Sequence, residues 1–145
     1  MFDELQKYKQ TNHFFFQATD KLREMCNAPT DKSGVYLVYA MKNGKIELIY
    51  IGCSGKLEKD GTIFIRKAGL GGMKDRIVNG HQFGKVPRRI SWIKQMIEEK
   101  IEALDVYWYV THDSNFNDNP REIENKLLRK HSVVYGRLPK WNKAL

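Results

Sequence analysis

No stretch of this chain approaches the roughly 18 consecutive apolar residues of a membrane-spanning helix, so no membrane protein is expected. The N-terminus, Met1-Phe-Asp-Glu-Leu-Gln-Lys, lacks a basic segment followed by an apolar one, and no secretory signal is read there. Cysteine is scarce. Cys26 and Cys53 stand in unrelated contexts without a CxxC pair, too few for a disulfide scaffold. They fit a reducing compartment, and a cytoplasmic location is the expectation. His13, His81, His112 and His131 are scattered, and no Cys/His pair has zinc-ligand spacing. No serine or cysteine sits on a nucleophile elbow, which argues against a serine or cysteine hydrolase. Gly69-x-Gly71-Gly72-x-Lys74 lacks the Gly-Lys-Ser/Thr of a Walker loop and reads first as a turn. Glycines that open a helix nevertheless present N–H groups to an anion. The chain has no internal repeat and no low-complexity run.

What is present suits one domain, residues 1–145. Hydrophobic residues make up 41% of the chain, enough for a core and too many for a disordered segment. The net charge of +8 is an argument about partners. A polyphosphate such as DNA is the large anion that such a surface meets, with salt-sensitive binding. A protein that is merely basic is the plainer alternative.

In chain order, residues 3–26 read as helix, with Leu5, Tyr8, Phe15, Leu22 and Met25 at loosely helical spacing. Phe14-Phe15-Phe16 disturbs that pattern, and Asn12 could cap a second helix. Residues 1–28 are thus expected to be an N-terminal helical extension. Val35 to Met41 and Ile46 to Ile51 read as strands joined by Lys42-Asn43-Gly44-Lys45, a hairpin turn. Residues 52–61 form a loop, and 62–66 a third strand or an inserted ribbon. A short helix follows the glycines at 69–72 and closes at Asn79-Gly80, glycine being the usual residue after a helix end. Residues 88–101 form a helix with Ile90, Ile93, Ile97 and Ile101 on its inner face, widened by Trp92 and Met96. Leu104 to Thr111 is a strand. Asn119, Pro120 and Glu122 mark the start of the last helix as cap, first residue and capping-box partner. Its inner stripe is Ile123, Leu127, Lys130 or His131, and Val134. The tail from Gly136 is extended, because Pro139 disfavours helix. Helices and strands are mixed along the chain, an α/β (α+β) pattern.

Two residues have a mild individual claim to chemistry. Arg76 lies on the short helix just after the glycines, although a lone helical arginine is usually solvated. Glu124 borders the apolar stripe of the last helix, where a carboxylate normally finds an arginine or a cation. A salt bridge is the plainer reading.

Taken together, Gly34-Val35-Tyr36, Tyr50-Ile51-Gly52, Arg76 in a helix, Glu124 in Ile-Glu-Asn-Lys-Leu-Leu, and Pro139-Lys-Trp-Asn142 resemble the ordered motifs of the GIY-YIG nuclease superfamily. The resemblance runs from about residue 34 to 142. It implies an α/β (α+β) core over residues 34–142, a small antiparallel three-stranded sheet flanked by helices, and a divalent-metal-dependent endonuclease that hydrolyses DNA phosphodiester bonds. By position, Tyr50 would be the general base or water-orienting phenol, and Tyr36 would support it. Arg76 would bind the scissile phosphate, Glu124 would hold one Mg2+ (or Mn2+), and Asn142 would brace the site. His81 stands where many members carry a histidine near the phosphate. A catalytically inactive nucleic-acid-binding domain of the same fold is the alternative.

The residue types suit that chemistry. Magnesium takes oxygen ligands, often only one or two carboxylates, and keeps several waters. Arginine bridges two phosphate oxygens with its planar fork. A phenol, with an ordinary pKa of about 10, needs cations nearby to act as a base. The lysine that assists in several members has four counterparts here, Lys56, Lys59, Lys67 and Lys74. The segment 56–68 is an insertion relative to the resemblance. Lys85, Arg88, Arg89 and Lys94 could touch DNA or form a solvated helix face.

The hairpin sets a geometric condition. A strict two-residue turn with regular strands pairs Tyr36 with Ile51 and sends the phenols to opposite faces. A three-residue loop with a bulge at Gly44, or a comparable bulge elsewhere, brings them to one face. An irregular hairpin is therefore expected.

Overall fold

The computed structural model describes residues 1–57, 63–64 and 72–143. Its centre is a four-stranded antiparallel sheet of order β1-β6-β2-β3. The strands are β1 (Thr11–Phe16), β2 (Ser33–Lys42), β3 (Lys45–Ser54) and β6 (Ala103–His112). A separate ribbon pairs β4 (Lys56–Leu57) with β5 (Ile63–Phe64), so the insertion does carry a strand pair. The helices among the described residues are α1 (Leu22–Met25), α2 (Gly72–Asn79), α3 (Arg88–Glu99) and α4 (Pro120–Tyr135). No helix of the described residues is long and apolar enough to cross a membrane. Of the glycine-rich helix entry, residues 69–71 lie outside the described residues.

The expected N-terminal helical extension is not formed. Residues 3–5 make one 3-10 turn, and Thr11 to Phe16 is an edge strand paired to β6, with Phe14 opposite Val106. The phenylalanine triplet explains the difference. Phe14 and Phe16 are buried while Phe15 is half exposed, an alternation of period two that only a strand satisfies. This strand also raises the sheet from the expected three strands to four.

The two faces of the sheet are covered differently. On one, Phe16, Tyr36, Val38, Leu104 and Val106 pack with Met73, Ile77, Trp92 and Met96 from α2 and α3. On the other, Val35, Leu37 and Ile51 pack with Ile123, Leu127 and Leu128 of α4 and with Leu5 and Tyr8. Fully burying a side chain such as Phe16 or Leu127 contributes about 1.5–3 kcal/mol. Such burial, more than helix propensity, holds short helices like α2 in place.

The inner face of α3 differs from the expectation. Ile90 and Ile97 are more than half exposed, and the buried residues are Arg88, Ser91, Trp92 and Met96. The spacing i, i+4, i+8 of Arg88, Trp92 and Met96 is the true stripe. Along α4, Ile123, Leu127 and His131 face inward as expected, joined by Leu128, while Lys130 and Val134 are exposed. The cap and first residue of α4 are as read: the Asn119 side chain accepts from the Arg121 N–H at 3.1 Å, with Pro120 as first helical residue.

Candidate active site

The β2–β3 hairpin closes with a two-residue turn. Lys42 pairs with Lys45, and Asn43 and Gly44 both have positive φ, 53° and 72°. This is the primed turn that matches strand twist. The three-residue loop is therefore not used. The irregularity lies further along: Tyr39 faces Leu48, but Val38 faces Tyr50, leaving Ile49 as an extra residue in β3. Ile49 and Tyr50 consequently lie on the same side of the sheet, while Leu48 and Ile51 lie on the other. The bulge places Tyr36 opposite Gly52 and brings both phenols to one face, with ring centroids 6.1 Å apart.

Both signature glycines answer to space. A Cβ on Gly52 would sit 2.5 Å from Cζ of Tyr36, whose ring lies across that backbone. A Cβ on Gly34 would sit 1.8 Å from the Tyr109 carbonyl oxygen of the neighbouring strand. Neither position has a positive φ.

Tyr36 is fully buried, and its hydroxyl has no hydrogen-bond partner among the described residues. Burial raises its phenol well above the ordinary range, against the opposing pull of the Arg88 and Arg76 charges. Tyr36 therefore stays a protonated donor. Tyr50 is half-buried, and its phenol oxygen accepts from Arg88 Nη2 at 3.1 Å.

Arg88 departs from its expected surroundings. It belongs neither to a solvated face nor to a DNA-contacting one, because its relative exposure is 1%. Its Nε donates to Gln82 Oε1 at 2.9 Å, its Nη1 to the Arg76 carbonyl, and its Nη2 to Tyr50. The guanidinium also lies 5.7, 5.5 and 5.9 Å from the ring centres of Tyr36, Tyr50 and Trp92. Among the described residues it has no ion-pair partner. Hydrogen bonds to a charged group contribute about 1.5–3 kcal/mol each, and a desolvated cation–π contact about 2 kcal/mol. Several of each offset a desolvation cost of several kcal/mol. Gly80 makes room: a Cβ there would lie 2.3 Å from Arg88 Nη1. Its φ is not positive, so this glycine follows the helix for reasons of space and not as a left-handed cap. The readable signal was Arg88 in register with Trp92 and Met96, together with a glycine before the loop.

Arg76 is half-buried on α2, and its charge acts on Tyr36, Cys53 and Glu124. Glu124 reaches β3 from α4, on the other side of the sheet, with its carboxyl beside the Cys53 thiol. Burial raises the Glu124 carboxyl above its ordinary range; Cys53, Arg121, Arg76 and Arg88 pull it the other way. Burial and the neighbouring carboxylate push the Cys53 thiol up to about 12, which keeps it a neutral donor. The structure thus places Tyr36, Tyr50 and Arg76 on one side of the β3 end, and Glu124 beside Cys53 on the other.

Asn142 binds the outer edge of the same strand. Its Oδ1 accepts from the Ile51 N–H and its Nδ2 donates to the Ile51 carbonyl, each at 2.9 Å. The Trp141 N–H donates to the Ile49 carbonyl at 2.7 Å. His81 is exposed in the α2–α3 connection, with a backbone bridge to Pro87. Of the candidate lysines, Lys74 sits on α2 with its charge acting on Cys26, while Lys59 and Lys67 lie outside the described residues.

No group of three or more metal-ligating side chains occurs among the described residues. The donor set is a single half-buried carboxylate with a thiol beside it, which suits an ion that keeps most of its waters better than a closed zinc site.

No family model, curated protein or solved structure matches this chain.

Proposed function

We propose that this protein is a divalent-metal-dependent endonuclease of the GIY-YIG type that hydrolyses DNA phosphodiester bonds. The observation that carries the reading is the β3 bulge, which gathers two phenols around a buried guanidinium beside Arg76 and within reach of the Glu124 charge. The net charge of +8 supports an anionic polymer as partner.

The residues divide the work. Arg76 receives the scissile phosphate, its fork matching two phosphate oxygens. Tyr50, its oxygen held by Arg88, accepts the hydrogen bond of the attacking water and orients it toward phosphorus. Tyr36 donates from its buried hydroxyl to an oxygen in the site. His81 approaches the phosphate from the α2–α3 connection. Asn142 fixes the edge of β3 and with it the direction of Tyr50. Glu124 would hold Mg2+ or Mn2+, which when bound supplies charge stabilisation at the phosphate and the leaving oxygen. Water adds to phosphorus and gives up one proton to solvent, the bond to the departing sugar oxygen breaks, and that oxygen takes up one proton from solvent.

The test is nicking or cutting of plasmid DNA by purified protein in Mg2+, abolished by EDTA. Tyr50→Phe, Arg76→Ala and Glu124→Gln should each lose cutting while remaining folded. Wild type that binds duplex at low salt yet never cuts in Mg2+ or Mn2+ would identify a binding domain of this fold instead.

A further inference from the structure

Arg88 lies outside every motif of the resemblance, yet it connects two residues that carry motifs. One terminal nitrogen donates to the Tyr50 phenol oxygen, the other to the main-chain carbonyl of Arg76. The third nitrogen is held by Gln82 Oε1, which also accepts from Trp92 Nε1 at 3.0 Å. The Arg88 N–H closes the intervening loop on the Gly80 carbonyl at 2.9 Å. The guanidinium is thus fixed on each of its nitrogens and enclosed by three rings.

We infer that Arg88 is a positioning residue. It locks the phenol that orients water to the helix end that presents the phosphate-binding arginine, so that Tyr50 and Arg76 keep one mutual geometry. This rests on the endonuclease reading for its consequence, and on the hydrogen bonds alone for its mechanics. Only a planar fork with three separate donor directions can make these bonds at once. A lysine ammonium in its place would be a single point charge on a flexible stem, unable to span the phenol, the carbonyl and the amide together. Each of its nitrogens is already bonded within the protein, so Arg88 acts on the chemistry through Tyr50 and Arg76.

The experiment compares wild type with Arg88→Lys and Arg88→Met, both checked by thermal melting. Two quantities are read. One is the Cζ resonance of Tyr50 in protein labelled at tyrosine Cζ, identified by its loss in Tyr50→Phe. The other is plasmid cutting, resolved into kcat and KM. The Tyr50 resonance should move in both variants while that of Tyr8, far from the guanidinium, stays. The value of kcat should fall about 100-fold, the scale of a 1 Å misplacement, with KM unchanged, and lysine should not rescue it. Gln82→Met, which leaves Arg88 intact but frees its Nε, should move the same resonance in folded protein even if the Arg88 variants do not fold. An unmoved Tyr50 resonance, or full kcat in Arg88→Lys, overturns the inference. If wild type does not cut, the endonuclease reading fails, and the resonance still decides whether Arg88 holds Tyr50.

Discussion

The phenol ring of Tyr36 lies across the backbone of Gly52, so close that any side chain at 52 would occupy the space of its Cζ. Gly52→Ala should therefore force the buried ring to move, at a cost of about 1–3 kcal/mol as for overpacked cores. Gly34→Ala should be worse, because its obstacle is the Tyr109 carbonyl, main chain that cannot rotate away. Urea melts of the two variants should rank in that order.

Tyr36→Phe separates stability from chemistry. The hydroxyl is buried without a partner among the described residues, and an unsatisfied buried group costs about 1–3 kcal/mol. Its removal should leave the melting temperature equal or higher, while cutting falls. A variant that lost stability would show that the hydroxyl is satisfied in the folded protein.

Glu124 carries a signed pH dependence. Its folded carboxyl is raised by burial, so the folded state binds its proton more tightly than the unfolded chain does. The stability this gives is fully present below the unfolded value of about 4.3 and is lost as pH rises through the higher folded value. Glu124→Gln, which does not titrate, should therefore be more stable than wild type at neutral pH, with the gain vanishing in acid. The same variant should no longer cut. Chemical denaturation across pH 3 to 8 reads the first effect and the plasmid assay the second.

Gly80→Ala should disturb the site from a distance. The new methyl would meet Arg88 Nη1 and the Arg76 carbonyl, each 2.3 Å from the ideal Cβ. Its kcat should fall with KM unchanged, as in the Arg88 variants. A Gly80→Ala protein with full kcat would show that the fork tolerates displacement.

Much of this fold was legible because local chemistry and tertiary packing agree. The Asn43-Gly44 turn, the Asn119-Pro120 helix start and the apolar β2 each satisfy their own rule. The N-terminal strand was not legible, since three adjacent phenylalanines fit a strand only once one face has a sheet to meet and the other has water. The need for a bulge is legible as a condition on the two tyrosines, but its place at Ile49 depends on cross-strand partners that no local pattern encodes. Arg88 was hidden for a different reason. Arginine is ordinarily a surface residue, and the acceptors that permit its burial come from Gln82, Arg76 and Tyr50, which only the fold brings together.

Asn142 gives the molecule a last property. β3 ends the sheet, and its outer N–H and carbonyl groups form a template onto which another chain could add a strand. The amide of Asn142 imitates a peptide unit and occupies both groups of Ile51, while Trp141 occupies the carbonyl of Ile49. The tail is thus a decoy strand, one residue of side chain long, standing where an added strand would have to pair.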